Sequence, residues 1–145
     1  TRPARDAVGV AFREAQRDER RHWGPSHLLL GLAAHDEGLA AGALDRLGIS
    51  RRELGEQARQ LTARERQQAG PAAAAPPPGG LIWAAASEAA AHCDDHIGTD
   101  HLLLALFRAD DPAAAQVLAR LGAEEGPVRI TIAALRAETG EEHSA

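Results

Sequence analysis

Apolar residues recur along this chain at helical rather than strand spacing. Within Arg5–Arg21, Val8, Ala11, Phe12 and Ala15 stand at i, i+3, i+4 and i+7, which predicts an amphipathic helix. Gly24-Pro25 breaks the pattern, and a proline suits the first helical turn. Leu28, Leu29, Leu30 and Leu32 predict a short buried helix. After Gly38, Leu39, Ala43, Leu44 and Leu47 predict a third that stops at Gly48. Ser50-Arg51-Arg52-Glu53 reads as a capping box opening a fourth helix with Leu54, Ala58 and Leu61 inward. A second set follows. Leu81–Cys93 predicts a helix with Leu81, Ile82, Ala85 and Ala89 as inward positions and Trp83 open between inward and exposed. Thr99 is a candidate N-cap for the Leu102 helix, and Asp111-Pro112 for a helix ending at Gly122. Val128, Ile132 and Leu135 mark the last. Alternation is rare and β-branched residues are few, so the fold class is all-α, with eight short helices.

The two sets are copies. His22-Trp23-Gly24-Pro25-Ser26-His27-Leu28-Leu29-Leu30-Gly31-Leu32 aligns without a gap, at an offset of 74, with His96-Ile97-Gly98-Thr99-Asp100-His101-Leu102-Leu103-Leu104-Ala105-Leu106. The same offset pairs Ala11, Glu14 and Ala15 with Ala85, Glu88 and Ala89. It also pairs Arg46-Leu47-Gly48 with Arg120-Leu121-Gly122, and Leu61 with Leu135. This divides the chain into repeat one (about 1–66), a Pro/Gly/Ala-rich connector (about 67–80), repeat two (about 81–139) and a polar tail (140–145). Each copy is too small to bury a good core alone, so the two are expected to pack as one pseudo-symmetric domain.

Composition narrows the chemistry. Of the apolar residues 33 are alanine and only 31 are larger, enough for one modest core. All 16 basic residues are arginine, and the missing lysine excludes a P-loop and Schiff-base catalysis within this chain. A net charge of −5 disfavours nucleic acid as a partner. One cysteine excludes an internal disulfide and Cys-based four-ligand zinc sites. No apolar run reaches the roughly 20 residues that span a bilayer, and no signal-peptide pattern opens the chain. The expectation is a cytoplasmic protein with no membrane partner and no cofactor.

Local motifs offer few sites. His27 and His101 occupy equivalent positions among leucines, where hydrogen-bonded histidines holding the helix start are expected rather than a metal or acid/base pair. His92-Cys93-Asp94-Asp95-His96 is the most metal-like string, with His92, Cys93 and His96 as candidates, set against a solvated helix end. Arg13, Arg17, Arg20 and Arg21 are mixed with Glu14, Asp18 and Glu19, and read as a solvated face. Trp23 aligns with Ile97 and is expected in the core. Trp83 aligns with Gly9 and is balanced between core and exposed anchor.

The repeated element resembles the Clp amino-terminal domain, or Clp repeat domain, of ClpA, ClpB and ClpC-type AAA+ unfoldases. The resemblance rests on Ala11–Ala15 and Ala85–Ala89, on Ile97-Gly98-Thr99-Asp100-His101-Leu102-Leu103-Leu104, and on Ala40–Gly48 and Ala114–Gly122. It covers about residues 1–138 and is nearest the ClpC branch. It implies eight helices about a pseudo-twofold axis, no catalytic activity, and binding of substrates or adaptors. In the ClpC branch it also implies phosphoarginine binding, by a glutamate in the repeated motif and a threonine before the first helix of each repeat. Here the glutamate positions hold Ser26 and Asp100. Pro25 is the counterpart of Thr99, and the threonine positions hold Thr1 and Ala75. Thr1, Ser26, Thr99 and Asp100 are thus the candidate residues of degenerate phosphoarginine-type pockets. A serine cannot supply the charge-assisted bonds of a carboxylate. The expected function is a protein-binding module, free-standing or excised, acting for a Clp unfoldase or sequestering its ligands. The alternative is a small-molecule or metal sensor on the same scaffold.

Overall fold

Hydroxyls, prolines and glycines set the helix limits. The computed structural model describes residues 1–18, 22–69, 79–109 and 111–144, with residues 69 and 140–144 described by their backbone alone. It contains eight helices and, among the described residues, no strand: α1 (Arg2–Arg17), α2 (Pro25–Ala34), α3 (Leu39–Arg46), α4 (Arg51–Ala69), α5 (Gly79–Ala91), α6 (Thr99–Arg108), α7 (Ala113–Arg120) and α8 (Glu125–Ser144). Thr1 caps α1, its Oγ1 accepting the Ala4 N–H at 3.3 Å, so the helix begins before the expected Arg5. Ser50 Oγ accepts the Glu53 N–H at 3.3 Å at the head of α4. Gly48 (φ 75°) and Gly122 (φ 102°) take the left-handed turn after α3 and α7, and the next amides return to Leu44 and Leu118 at 2.9 and 2.8 Å.

Several boundaries differ from the sequence pattern. Helix α4 continues to Ala69 and α5 starts at Gly79, so both enter the expected connector, whose residues 70–78 lie outside the described ones. Helix α8 runs on to Ser144, across the expected tail. Thr99 is the first residue of α6 and not its cap, which is Gly98. Asp111 accepts the Ala113 N–H at 3.0 Å, and α7 starts one residue later than expected.

The helix contacts respect an exchange of the two halves. The α1–α2 pair is matched by α5–α6, α2–α4 by α6–α8, and α3–α8 by α7–α4, while α2–α6 maps onto itself. The leucines of α2 and α6 fill the centre, with Leu28, Leu29, Leu103 and Leu106 fully buried. Trp23 joins this core. Phe12 and Ile82, expected inward, are 51% and 37% exposed, and Trp83 is 69% exposed. The inward stripe of α1 is Ala4, Ala7, Ala11 and Ala15. The reason is close approach: a Cβ on Gly31 of α2 would lie 2.2 Å from the Ala7 carbonyl oxygen, a seam too narrow for phenylalanine. Among the described residues no helix is long and apolar enough to cross a membrane.

Candidate functional site

Each copy of the repeated motif places a short polar cluster at the head of its leucine helix. In repeat one, His27 Nδ1 accepts the N–H of the N-cap Gly24 at 3.0 Å. In repeat two, His101 Nδ1 accepts that of Gly98 at 2.8 Å. Both rings are buried. A ring nitrogen that accepts here leaves Nε2 carrying the hydrogen of the neutral form. Nε2 meets Asp18 Oδ2 at 3.0 Å in repeat one and Asp94 Oδ2 at 2.9 Å in repeat two. An arginine from the fourth helix of each repeat completes the relay: Arg66 Nη1 donates to Asp18 at 3.0 Å, and Arg136 donates to Asp94. The histidines thus fasten the helix start to the preceding helix end and to the last helix.

The four predicted ligand residues have distinct surroundings. Ser26 is 1% exposed, and its Oγ donates to Glu65 Oε2 of α4 at 2.8 Å. Asp100 is equally buried, and its Oδ2 receives Arg136 Nε at 3.2 Å and Nη2 at 3.0 Å. Thr99 Oγ1 accepts the Ala40 N–H at 3.1 Å, joining α6 of repeat two to α3 of repeat one. The Thr1 backbone nitrogen lies 2.7 Å from the Ile97 carbonyl oxygen. Thr1 therefore stands beside the second copy's motif, with Thr99 and Asp100, and Ser26 belongs to a separate cluster. Ala75 lies outside the described residues.

The electrostatics of the second cluster centre on Arg136. Hydrogen bonding from Arg136 holds the Asp94 carboxyl below the ordinary carboxylate range, against the opposing effect of burial. The same bond raises Arg136 itself. Behind it, Glu88 of the Ala-x-x-Glu-Ala segment receives Arg129 through two bonds, at 2.8 and 3.0 Å, and Arg108 at 3.4 Å. Arg129 first and foremost lowers the Glu88 carboxyl.

Among the described residues, the side chains gathered with metal-ligand spacing are His92, Asp94 and His101, with donor atoms within 4.8 Å of one another. Of the three candidates named from sequence only His92 belongs; Asp94 comes from the same string, and Cys93 and His96 take no part. Coordination by His101 Nε2 would require moving its hydrogen and giving up the Gly98 bond, and Arg136 already occupies the Asp94 carboxylate. His92 Nδ1 is itself bonded to the Glu88 carbonyl at 2.8 Å. The arrangement is a hydrogen-bond relay. Asp18, Glu65, Arg66, Asp94 and Arg136 were missed by sequence reasoning. Glu65, Arg66 and Arg136 stand 36 to 48 residues from the side chains they meet, and nothing in the periodicity joins them. Arg20 and Arg21, read as part of a solvated face, lie outside the described residues.

Comparison with known proteins adds an independent line. Residues 1–121 match the family model for the Clp repeat (R) N-terminal domain. Over 122 residues, 84% of this chain, it is 31% identical to the negative regulator of genetic competence ClpC/MecB of Bacillus subtilis (strain 168). It is 32% identical over 121 residues, 83% of the chain, to the ATP-dependent Clp protease ATP-binding subunit ClpC of Staphylococcus saprophyticus. The chain spans 15% of the length of each of these relatives. Its fold is similar to that of the Hsp104 N-terminal domain from Candida albicans, with a TM-score of 0.72 at 18% identity, covering 92% of this chain and 88% of that one.

Proposed function

Because the chain belongs to the Clp repeat N-terminal domain family, we propose that it is a non-catalytic binding module that presents substrates or adaptors to a Clp unfoldase or protease. The observation that carries this reading is the use made of the repeated motif. His27, His101, Ser26, Thr99 and Asp100 are all buried and engaged in bonds that hold the helices together. Large apolar side chains stand at the surface instead, among them Phe12, Trp83 and Ile130. Exposed aromatic residues of this kind serve as anchors for protein partners. Acting apart from an ATPase, the same module would sequester ligands that otherwise reach one.

In this reading the phosphoarginine pockets are degenerate. Ser26 lacks the charge to hold a guanidinium and is bonded to Glu65. Asp100 keeps its charge, but Arg136 of the same chain already lies on it. Thr1 and Thr99 complete the second pocket with hydroxyls near a helix start, where a phosphate is favoured.

Calorimetric titration with free phosphoarginine tests this on the parent, Asp100→Ala and Arg136→Ala, with circular dichroism checking each fold. Binding by the parent that is lost in Asp100→Ala shows a working second pocket. Binding that emerges only in Arg136→Ala shows a pocket filled by its own chain. Silence from all three removes phosphoarginine from the reading. A pull-down that recovers neither a Clp component nor a degradation substrate would count against the module itself.

A further inference from the structure

The two halves of the molecule meet through equivalent helix pairs, α3 on α8 and α4 on α7, but only one pair is closed. On the α3–α8 side, Leu135 rests against Gly42, where a Cβ would come within 3.3 Å of Leu135 Cδ1. Arg46 Nη2 then donates to Glu138 Oε2 at 2.6 Å. The 74-residue offset translates these four positions to the other side. Gly42 becomes Gln116, Leu135 becomes Leu61, Arg46 becomes Arg120, and Glu138 becomes Arg64. The hollow is replaced by a long amide side chain, and the ion pair by two like charges.

All four translated residues line one open groove of about 600 Å³ between α4 and α7. The volume falls in the ordinary range of ligand sites. Leu61 is nearly buried and supplies an apolar floor. Two acids share the lining, Glu65 and Asp111. Each has another bond: Glu65 Oε2 accepts from Ser26 at 2.8 Å, and Asp111 Oδ1 from the Ala113 amide at 3.0 Å. Among the described residues neither Arg64 nor Arg120 forms an ion pair, whereas Arg46 does. Two guanidiniums lining one groove repel each other, and a shared carboxylate relieves that repulsion through charge-assisted bonds.

We propose that the α4–α7 groove docks an acidic peptide segment, one carboxylate of which bridges Arg64 and Arg120 where the sister interface carries Glu138. The template for this contact is within the molecule, because Arg46–Glu138 shows an arginine at this position of the third helix reaching a carboxylate on the last. The site is separate from Asp100 and does not depend on phosphoarginine.

The test uses the full chain and a fluorescein-labelled hexaglutamate peptide, with hexaglutamine as the uncharged control, read by fluorescence anisotropy. Arg64→Glu installs the residue that the sister interface has. It should pair with Arg120, leave the thermal midpoint equal or higher, and weaken hexaglutamate binding about tenfold or more. Arg13→Ala, which removes an exposed arginine on α1, should bind as the parent does. The proposal is overturned if the parent fails to bind hexaglutamate, or if Arg64→Glu binds like the parent. Equal weakening by Arg13→Ala would also overturn it, since attraction would then be a property of overall charge.

Discussion

Gly31→Ala separates local from tertiary reasoning. The repeat alignment puts Ala105 at the equivalent position, and glycine within a helix is less favourable than alanine by about 1 kcal/mol. Both arguments predict that alanine stabilises. The structure predicts the reverse. An ideal Cβ on Gly31 lies 2.2 Å from the Ala7 carbonyl oxygen and 3.0 Å from its carbon, where ordinary contact begins at 3.4 Å. The obstacle is helix backbone and cannot rotate aside, so α1 must retreat by about 1 Å along a densely packed seam. Forced overpacking of this kind costs up to about 3 kcal/mol. Subtracting the propensity gain of about 1 leaves a net destabilisation of about 2 kcal/mol. For a chain of this size that lowers the thermal midpoint by about 4–8 °C. Urea denaturation and thermal melting, followed by circular dichroism, measure both quantities. The mirror change, Ala105→Gly, should also destabilise, because it loses a buried methyl as well as helix propensity. A midpoint for Gly31→Ala at or above that of the parent would refute the close approach.

Three further outcomes follow from the ion pairs and the inter-repeat bond. Arg136→Ala leaves the buried Asp100 without its guanidinium and should destabilise by about 2 kcal/mol at neutral pH. Because Arg136 depresses the Asp94 carboxyl, its contribution is full above the ordinary carboxylate value and is lost as pH falls through the depressed one. The urea midpoint of the variant should therefore fall less steeply on acidification than that of the parent, and parallel curves would contradict this. Glu88→Gln should cost about 2 kcal/mol at neutral pH, since Arg129 and Arg108 lose a charged partner. The gap should narrow in acid, as Glu88 is likewise held below its usual range. Thr99→Val keeps the shape but leaves the Ala40 amide without its acceptor, at about 1–2 kcal/mol, and that amide should exchange faster in a hydrogen-exchange experiment. Unchanged Ala40 exchange would remove Thr99 from the seam between repeats.

Sequence alone determined what local rules govern. Helical spacing, the Ser50 hydroxyl, and the glycines that stop α3 and α7 at Gly48 and Gly122 made the eight helices legible. The duplication was visible as an offset, and the leucines of α2 and α6 announced the core. The histidines at the helix starts were legible as hydrogen-bonded structural groups. Tertiary structure decided what depends on which helix lies opposite. Phe12 satisfied the period of α1 yet faces solvent, because the Ala7–Gly31 approach admits only small side chains. Arg136 reaches Asp94 and Asp100 from positions 42 and 36 residues away, a pairing that only folding creates. The offset already contained Arg64 and Arg120 as counterparts of Glu138 and Arg46. Only the packing of α4 on α7 placed both guanidiniums on the lining of one groove, because the distance between charges is set by which helices lie together and not by their spacing in the chain.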